Sequence, residues 1–115
     1  MAETPRLEIP AGPQTQSPRL FRALYHEVIV LAKADVRKQA AGSGRVGNLF
    51  IVADKENAGD VYWGDSKVTK GGGTKPGFPL GPGDSTGPWD LAQVSQIHGI
   101  GGNAGDIIVL MGLQG

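Results

Sequence analysis

The amino-acid sequence predicts an all-β protein: a compact β-sandwich or jelly-roll-like fold, or a small barrel, of six to eight short strands with an extended N-terminal arm. Three observations carry this expectation. The 115 residues include 19 glycines and 8 prolines, well above ordinary usage of about 7% and about 5%. Valine, isoleucine, leucine and aromatic residues are gathered into short runs bounded by Gly, Pro, Asn, Asp and Ser, as strands separated by turns would be. Outside one ambiguous segment at 17–32, no stretch holds a long helical period. Glycine and proline could equally mark disorder, but an apolar fraction of 39% clustered into runs favours a folded chain.

From the N-terminus, residues 1–19 form the arm and 20–115 a single β-sandwich domain. Pro5, Pro10, Pro13 and Pro18 all precede the first strong apolar run, and the isolated Leu7 and Ile9 bury too little surface to fold alone. The arm is either a loose terminus or a segment that orders on a neighbouring subunit, with Leu7, Ile9, Leu20 and Phe21 as its contact side chains. Residues 17–32 admit two readings. Ser17-Pro18 suits a helix start, and Leu20, Leu24, Val28 and Leu31 recur at helical spacing. Against that, Val28-Ile29-Val30 is β-branched throughout, which favours a strand over 25–31 with at most a helical turn before it. Residues 35–40 can supply a short edge strand.

After Gly42-Ser43-Gly44, the apolar run 49–53 is expected to be a central strand. Residues 54–60 have turn composition, and 61–63 return from them, so the two runs are expected to form a hairpin with Asn57 or Gly59 at positive φ. Residues 61–83, which end in the proline- and glycine-bearing run 78–83, read as β-structure bent by turns. Residues 85–91, 94–98 and 106–111 each have strand length and are separated by glycine-bearing turns.

Composition narrows the function classes. One domain of this length buries roughly two thirds of its unfolded surface. Charged residues are 19% of the chain and balance to a formal net charge of zero, so no basic field exists to gather nucleic acid or an anionic membrane. Cysteine is absent, which removes disulfides, thiolate metal sites and thiol catalysis. The longest apolar stretches, 28–32 and 107–111, are far shorter than a membrane span, and the N-terminus lacks the apolar run of a signal peptide. A soluble, unprocessed chain without nucleic-acid or membrane partners is expected.

Glycine-rich chains generate accidental catalytic motifs, and several occur. Residues 83–87 match GxSxG around Ser85, with Asp90 and His98 following in hydrolase order, but Pro88 and a β-like run stand where the helix of a nucleophile elbow belongs. Residues 99–104 match a loose dinucleotide pattern, yet a strand-like run follows instead of a helix. Gly71-Gly72-Gly73-Thr74-Lys75 lacks the glycine-lysine-hydroxyl order of a phosphate loop. His26 and His98 stand alone, without a metal-ligand spacing. The aspartates at 60, 65, 84, 90 and 106 mostly sit beside glycine or serine, where a carboxylate accepts local backbone N–H groups. No catalytic residue, cofactor or metal is therefore expected.

Tyr62, Trp63 and Trp89 remain as contact residues. Adjacent Tyr62 and Trp63 must face opposite sides of their sheet, so one of them leaves the core if only one face is covered.

The order LFIVAD, VYWGDSKV, a glycine-rich loop, GFPLGPGDS, WDL, VSQIHGIGG and GDIIVLMG over roughly residues 25–112 resembles the capsid decoration, or cement, proteins of tailed bacteriophages. The resemblance lies in turn grammar and carries no catalytic motif. It implies a β-sandwich, often trimeric, that binds the major capsid protein on the outer surface of the virion after assembly in the host cytoplasm. The alternative is a fibre or tail adhesion module with Tyr62, Trp63 or Trp89 as a platform for a glycan or receptor. A small enzyme using Ser85 or His98 is the third reading.

Overall fold

The computed structural model describes residues 23–114. Leu7, Ile9, Leu20 and Phe21, and the choice between strand and helix for 17–22, lie outside the described residues. The described residues form eight strands and one 3-10 turn: β1 (Ala23–Leu31), β2 (Lys38–Gln39), β3 (Val46–Ala53), β4 (Val61–Gly64), β5 (Phe78–Leu80), β6 (Ser85–Leu91), the 3-10 turn Val94–Gln96, β7 (His98–Gly101) and β8 (Asp106–Gln114). They build two open four-stranded sheets, ordered β1-β8-β3-β6 and β2-β7-β4-β5, with every strand pair antiparallel. The architecture is all-β and two-layered, and neither sheet closes into a barrel.

The core follows from alternation. Tyr25, Ile29 and Leu31 of β1, Leu49, Ile51 and Ala53 of β3, and Ile108 and Leu110 of β8 point inward and are buried. They meet Val61 and Leu80 of the second sheet. Strand β7 offers only backbone on this side, because its inward positions are Gly99 and Gly101. A Cβ at Gly99 would lie 2.6 Å from Ile108 Cδ1, and one at Gly101 would lie 3.2 Å from Leu31 Cδ1. The first sheet therefore seats its largest side chains against bare main chain of the second.

Several sequence expectations are corrected. The runs 49–53 and 61–63 form no hairpin, since β3 lies between β8 and β6 while β4 lies between β7 and β5. Both edges of β3 are occupied, so the chain must cross to the other layer through 54–60. Asn57 and Gly59 do not adopt positive φ; among described non-glycine residues only Asp35 and Asn48 do. Residues 78–80 extend and pair with β4. Residues 94–98 are not one strand: Val94 and Ile97 are both buried, and a 3-10 turn places residues three apart on one side where a strand would not.

Two bulges set the phase of the first sheet. Between Val46 and Leu49, β3 spans three residues against two on β6, with Asn48 at φ 48°. Val46 and Leu49 thereby both face inward. Between Thr86 and Trp89, β6 spans three residues against two on β3, with Gly87 at φ 136°. A Cβ on Gly87 would sit 2.5 Å from the Leu49 carbonyl oxygen, so the second bulge needs glycine twice over.

Candidate functional site

Trp63 takes the inward side of β4 and packs against the core, and Tyr62 takes the outward side. Trp63 stacks on its register partner Phe78 at 5.9 Å and 29° between rings. Trp89, turned inward by the Gly87 bulge, meets Trp63 edge-on at 5.5 Å and 69°. Phe78 and Trp89 belong to β5 and β6, the edge strands of the two sheets. The three rings thus close one open side of the sandwich and leave Phe78 47% and Trp89 37% exposed. Trp63 Nε1 is buried and has no acceptor among the described residues. The hollow beside it, lined by Trp63, Val68, Pro76 and Phe78, measures about 150 Å³, below the ~300–1,000 Å³ usual for a small-molecule site. Sequence reasoning brought Trp63 and Trp89 forward but missed Phe78 as a contact residue.

Tyr62 is half-buried on the outer side of the second sheet, beside its register partner Ile100, which is also buried there. A Cβ on Gly71 would lie 3.4 Å from the Tyr62 hydroxyl, so the 65–77 loop covers this ring. The loop is tied down by the Lys70–Asp35 ion pair and by Arg37 Nε donating to the Val68 carbonyl at 2.6 Å. Tyr62 is engaged by its own fold and is not brought together with Trp63 and Trp89.

The polar groups singled out by sequence also serve the fold. Asp84 accepts from Gly81 N–H at 3.0 Å and Asp65 from Lys67 N–H at 2.9 Å, as local turn carboxylates do. Asp90 and Asp106 act at long range: Asp90 accepts from Asn48 N–H at 3.1 Å, and Asp106 from Ala58 and Gly59 at 2.8 and 3.2 Å. Asp65 also pairs with Lys75, which holds its carboxyl below the usual range. His98 Nδ1 lies 3.2 Å from the Gln96 carbonyl. Ser85 opens strand β6, so residues 83–87 run from a turn into a strand. Glu27, which sequence reasoning passed over, accepts from Ala41 and Gly42 N–H and from the Tyr25 hydroxyl. Burial, and then the Glu27 carboxylate, push the Tyr25 phenol upward.

The least expected surface is the outer side of the β1-β8-β3-β6 sheet. The register aligns Val28, Val109 and Val52 in one row across three strands, and His26, Met111 and Phe50 in the next. Leu24 and Leu113 flank them at one end, and Val30 and Ile107 at the other. Leu24 is 67% exposed, Val28 49% and Phe50 44%. An antiparallel sheet facing water normally alternates polar residues outward. Here the outward positions of β1, β8 and β3 hold no Lys, Arg, Asp or Glu. The sequence signal was the unbroken Val28-Ile29-Val30-Leu31 run, which is apolar on both faces of its strand.

No family model, curated protein or solved structure matches the chain.

Proposed function

We propose that this protein is a structural component of a phage virion that binds the outside of the assembled capsid and stabilises the major capsid protein lattice. Its working form is a homo-oligomer, a trimer in the arrangement that the cement-protein resemblance implies. The observation that carries the reading is the use of the polar groups. Glu27, Asp84, Asp90 and Asp106 all bind main-chain N–H groups of their own fold, while a broad apolar face stays outside. Such a molecule is built to hold shape and make contacts. A ligand that binds only the assembled lattice stabilises it by its binding free energy, repeated over many sites. In this reading residues 1–20 strengthen attachment by lying along the shell.

The test is binding of the purified protein to capsids lacking it. Co-sedimentation and a raised disassembly temperature are expected, with weaker attachment after deletion of residues 1–20. Capsids that neither retain the protein nor gain heat resistance would overturn the reading.

The partial exposure of Phe78 and Trp89 favours a second reading, an adhesion module whose aromatic edge stacks on a glycan. Glycan-array binding without capsid binding would select it.

A further inference from the structure

We infer that the open edge of β1 is where this protein takes up an extended strand of the major capsid protein. The two sheets have four edge strands, β1, β6, β2 and β5. Three of them are poor templates. Strand β2 is two residues long, β5 is three and contains Pro79, and β6 is broken by the Gly87 bulge and Pro88. Strand β1 has nine residues in unbroken register with β8 and contains no proline, lysine or arginine. Proteins ordinarily blunt a long edge of that kind, because its bare main chain recruits other strands.

The direction of the free groups follows from the neighbours. Ile107, the register partner of Val30, turns its N–H and carbonyl to Asn57, and the Leu31 carbonyl accepts from Gly105 N–H on the β8 side at 2.8 Å. By antiparallel alternation Glu27 and Ile29 therefore bond toward β8, and Leu24, His26, Val28 and Val30 present their main chain to the open edge. Among the described residues, the one main-chain bond made there is Ala32 N–H to the Val30 carbonyl.

Sequence and symmetry select the occupant. Residues 1–22 are ill-suited: Pro10 and Pro13 differ in parity, so a strand through both turns a proline toward β1 whichever side it offers. Two copies of β1 paired over their full length bring Glu27, the middle residue, opposite itself, and such a two-fold pair does not build the proposed trimer. A strand of the shell meets neither objection. The inference rests on the shell-binding reading, in which residues 1–20 lie along the shell and so bring the edge of β1, which follows them in the chain, to the same place. Leu24 and Val28 are exposed beside that edge, so the incoming strand carries apolar residues at every second position.

Amide hydrogen exchange on the full chain reads the edge directly. In the free protein the amides of Leu24, His26 and Val28 should exchange rapidly while those of Glu27 and Ile29 are protected, and on capsids lacking the protein the first set should become protected too. His26→Pro removes one outward N–H and leaves the β8 ladder whole. With the far-ultraviolet spectrum of the wild type, it should bind those capsids at least ~10-fold more weakly. Val28→Pro takes its place if His26→Pro does not fold. His26→Ala, which keeps the N–H, should bind more tightly than His26→Pro. If wild-type protein does not bind capsids, the shell-binding reading and this inference fall together. If it binds and a folded proline variant binds equally well, or if His26→Ala loses as much as His26→Pro, this inference alone fails. Protection of the edge amides in the free chain overturns it as well, because residues 1–22 or a second copy would then hold the edge.

Discussion

The side chain of Asn57 pairs with the main chain of Ile107 as a neighbouring strand would: Oδ1 accepts from Ile107 N–H at 2.7 Å, and Nδ2 donates to the Ile107 carbonyl at 2.9 Å. One residue earlier, the buried Asp106 carboxylate holds Ala58 and Gly59. The segment that crosses from the first sheet to the second is thus clamped to the start of β8 from both partners. This clamp takes the place of the hairpin that the sequence suggests.

Asn57→Ala leaves the part-buried Ile107 N–H without its partner, while the Ile107 carbonyl keeps the Asp54 N–H at 3.2 Å, and should cost about 1–3 kcal/mol in urea unfolding. Asp106→Ala should cost a similar amount. Because both hold one crossing segment, the double variant should lose less than the sum. Strict additivity would show that the two contacts act independently.

Gly87→Ala tests the bulge that aims Trp89 inward. An alanine at φ 136° is strained and meets the Leu49 carbonyl at 2.5 Å, so a loss of at least ~2 kcal/mol is expected. Tryptophan emission should shift to the red as Trp89 leaves Trp63. An unchanged spectrum and midpoint would mean that β6 holds its phase without the bulge.

Trp63→Ala should cost about 3–5 kcal/mol, the usual range for an aromatic ring cut out of packed surroundings. Trp63→Phe should cost far less, since it keeps an aromatic ring against Phe78 and Trp89 and removes the buried indole N–H that has no acceptor among the described residues. Equal losses for the two variants would show that the N–H is engaged.

Stability should fall at alkaline pH through Tyr25. Its phenol titrates higher in the folded protein than in the unfolded chain, first through burial and then through Glu27. The unfolded chain therefore releases this proton first, and the contribution is full below about pH 10, then declines as pH rises. Tyr25→Phe should flatten that alkaline decline relative to wild type in denaturant midpoints. Parallel curves would remove Tyr25 from the account.

The strands legible in the sequence were β1, β3, β4 and β8, whose apolar runs stand out, β6, which has strand length between turns, and the short edge strand β2 within 35–40. Strand β7 was hidden because Gly99 and Gly101 occupy its inward positions, where a pattern reader looks for side chains. Strand β5 did not stand out from the turns around it, because it is three residues long and contains Pro79. Of the candidate site, period two alone placed Tyr62 and Trp63 on opposite faces. Phe78 joins Trp63 only through register between strands 15 positions apart in the chain.

By itself, then, the sequence determined the all-β class, most strand positions and the opposition of Tyr62 to Trp63, because alternation and turn chemistry are local properties of the backbone. The tertiary structure decided which neighbour each strand took, which of the two aromatics entered the core, and that Val28 and Val109 lie on the outside. Those outcomes depend on pairing between distant segments and on bulges that shift phase by one residue. A one-residue shift exchanges the inner and outer faces of a strand, and local sequence does not encode where its partner will impose it.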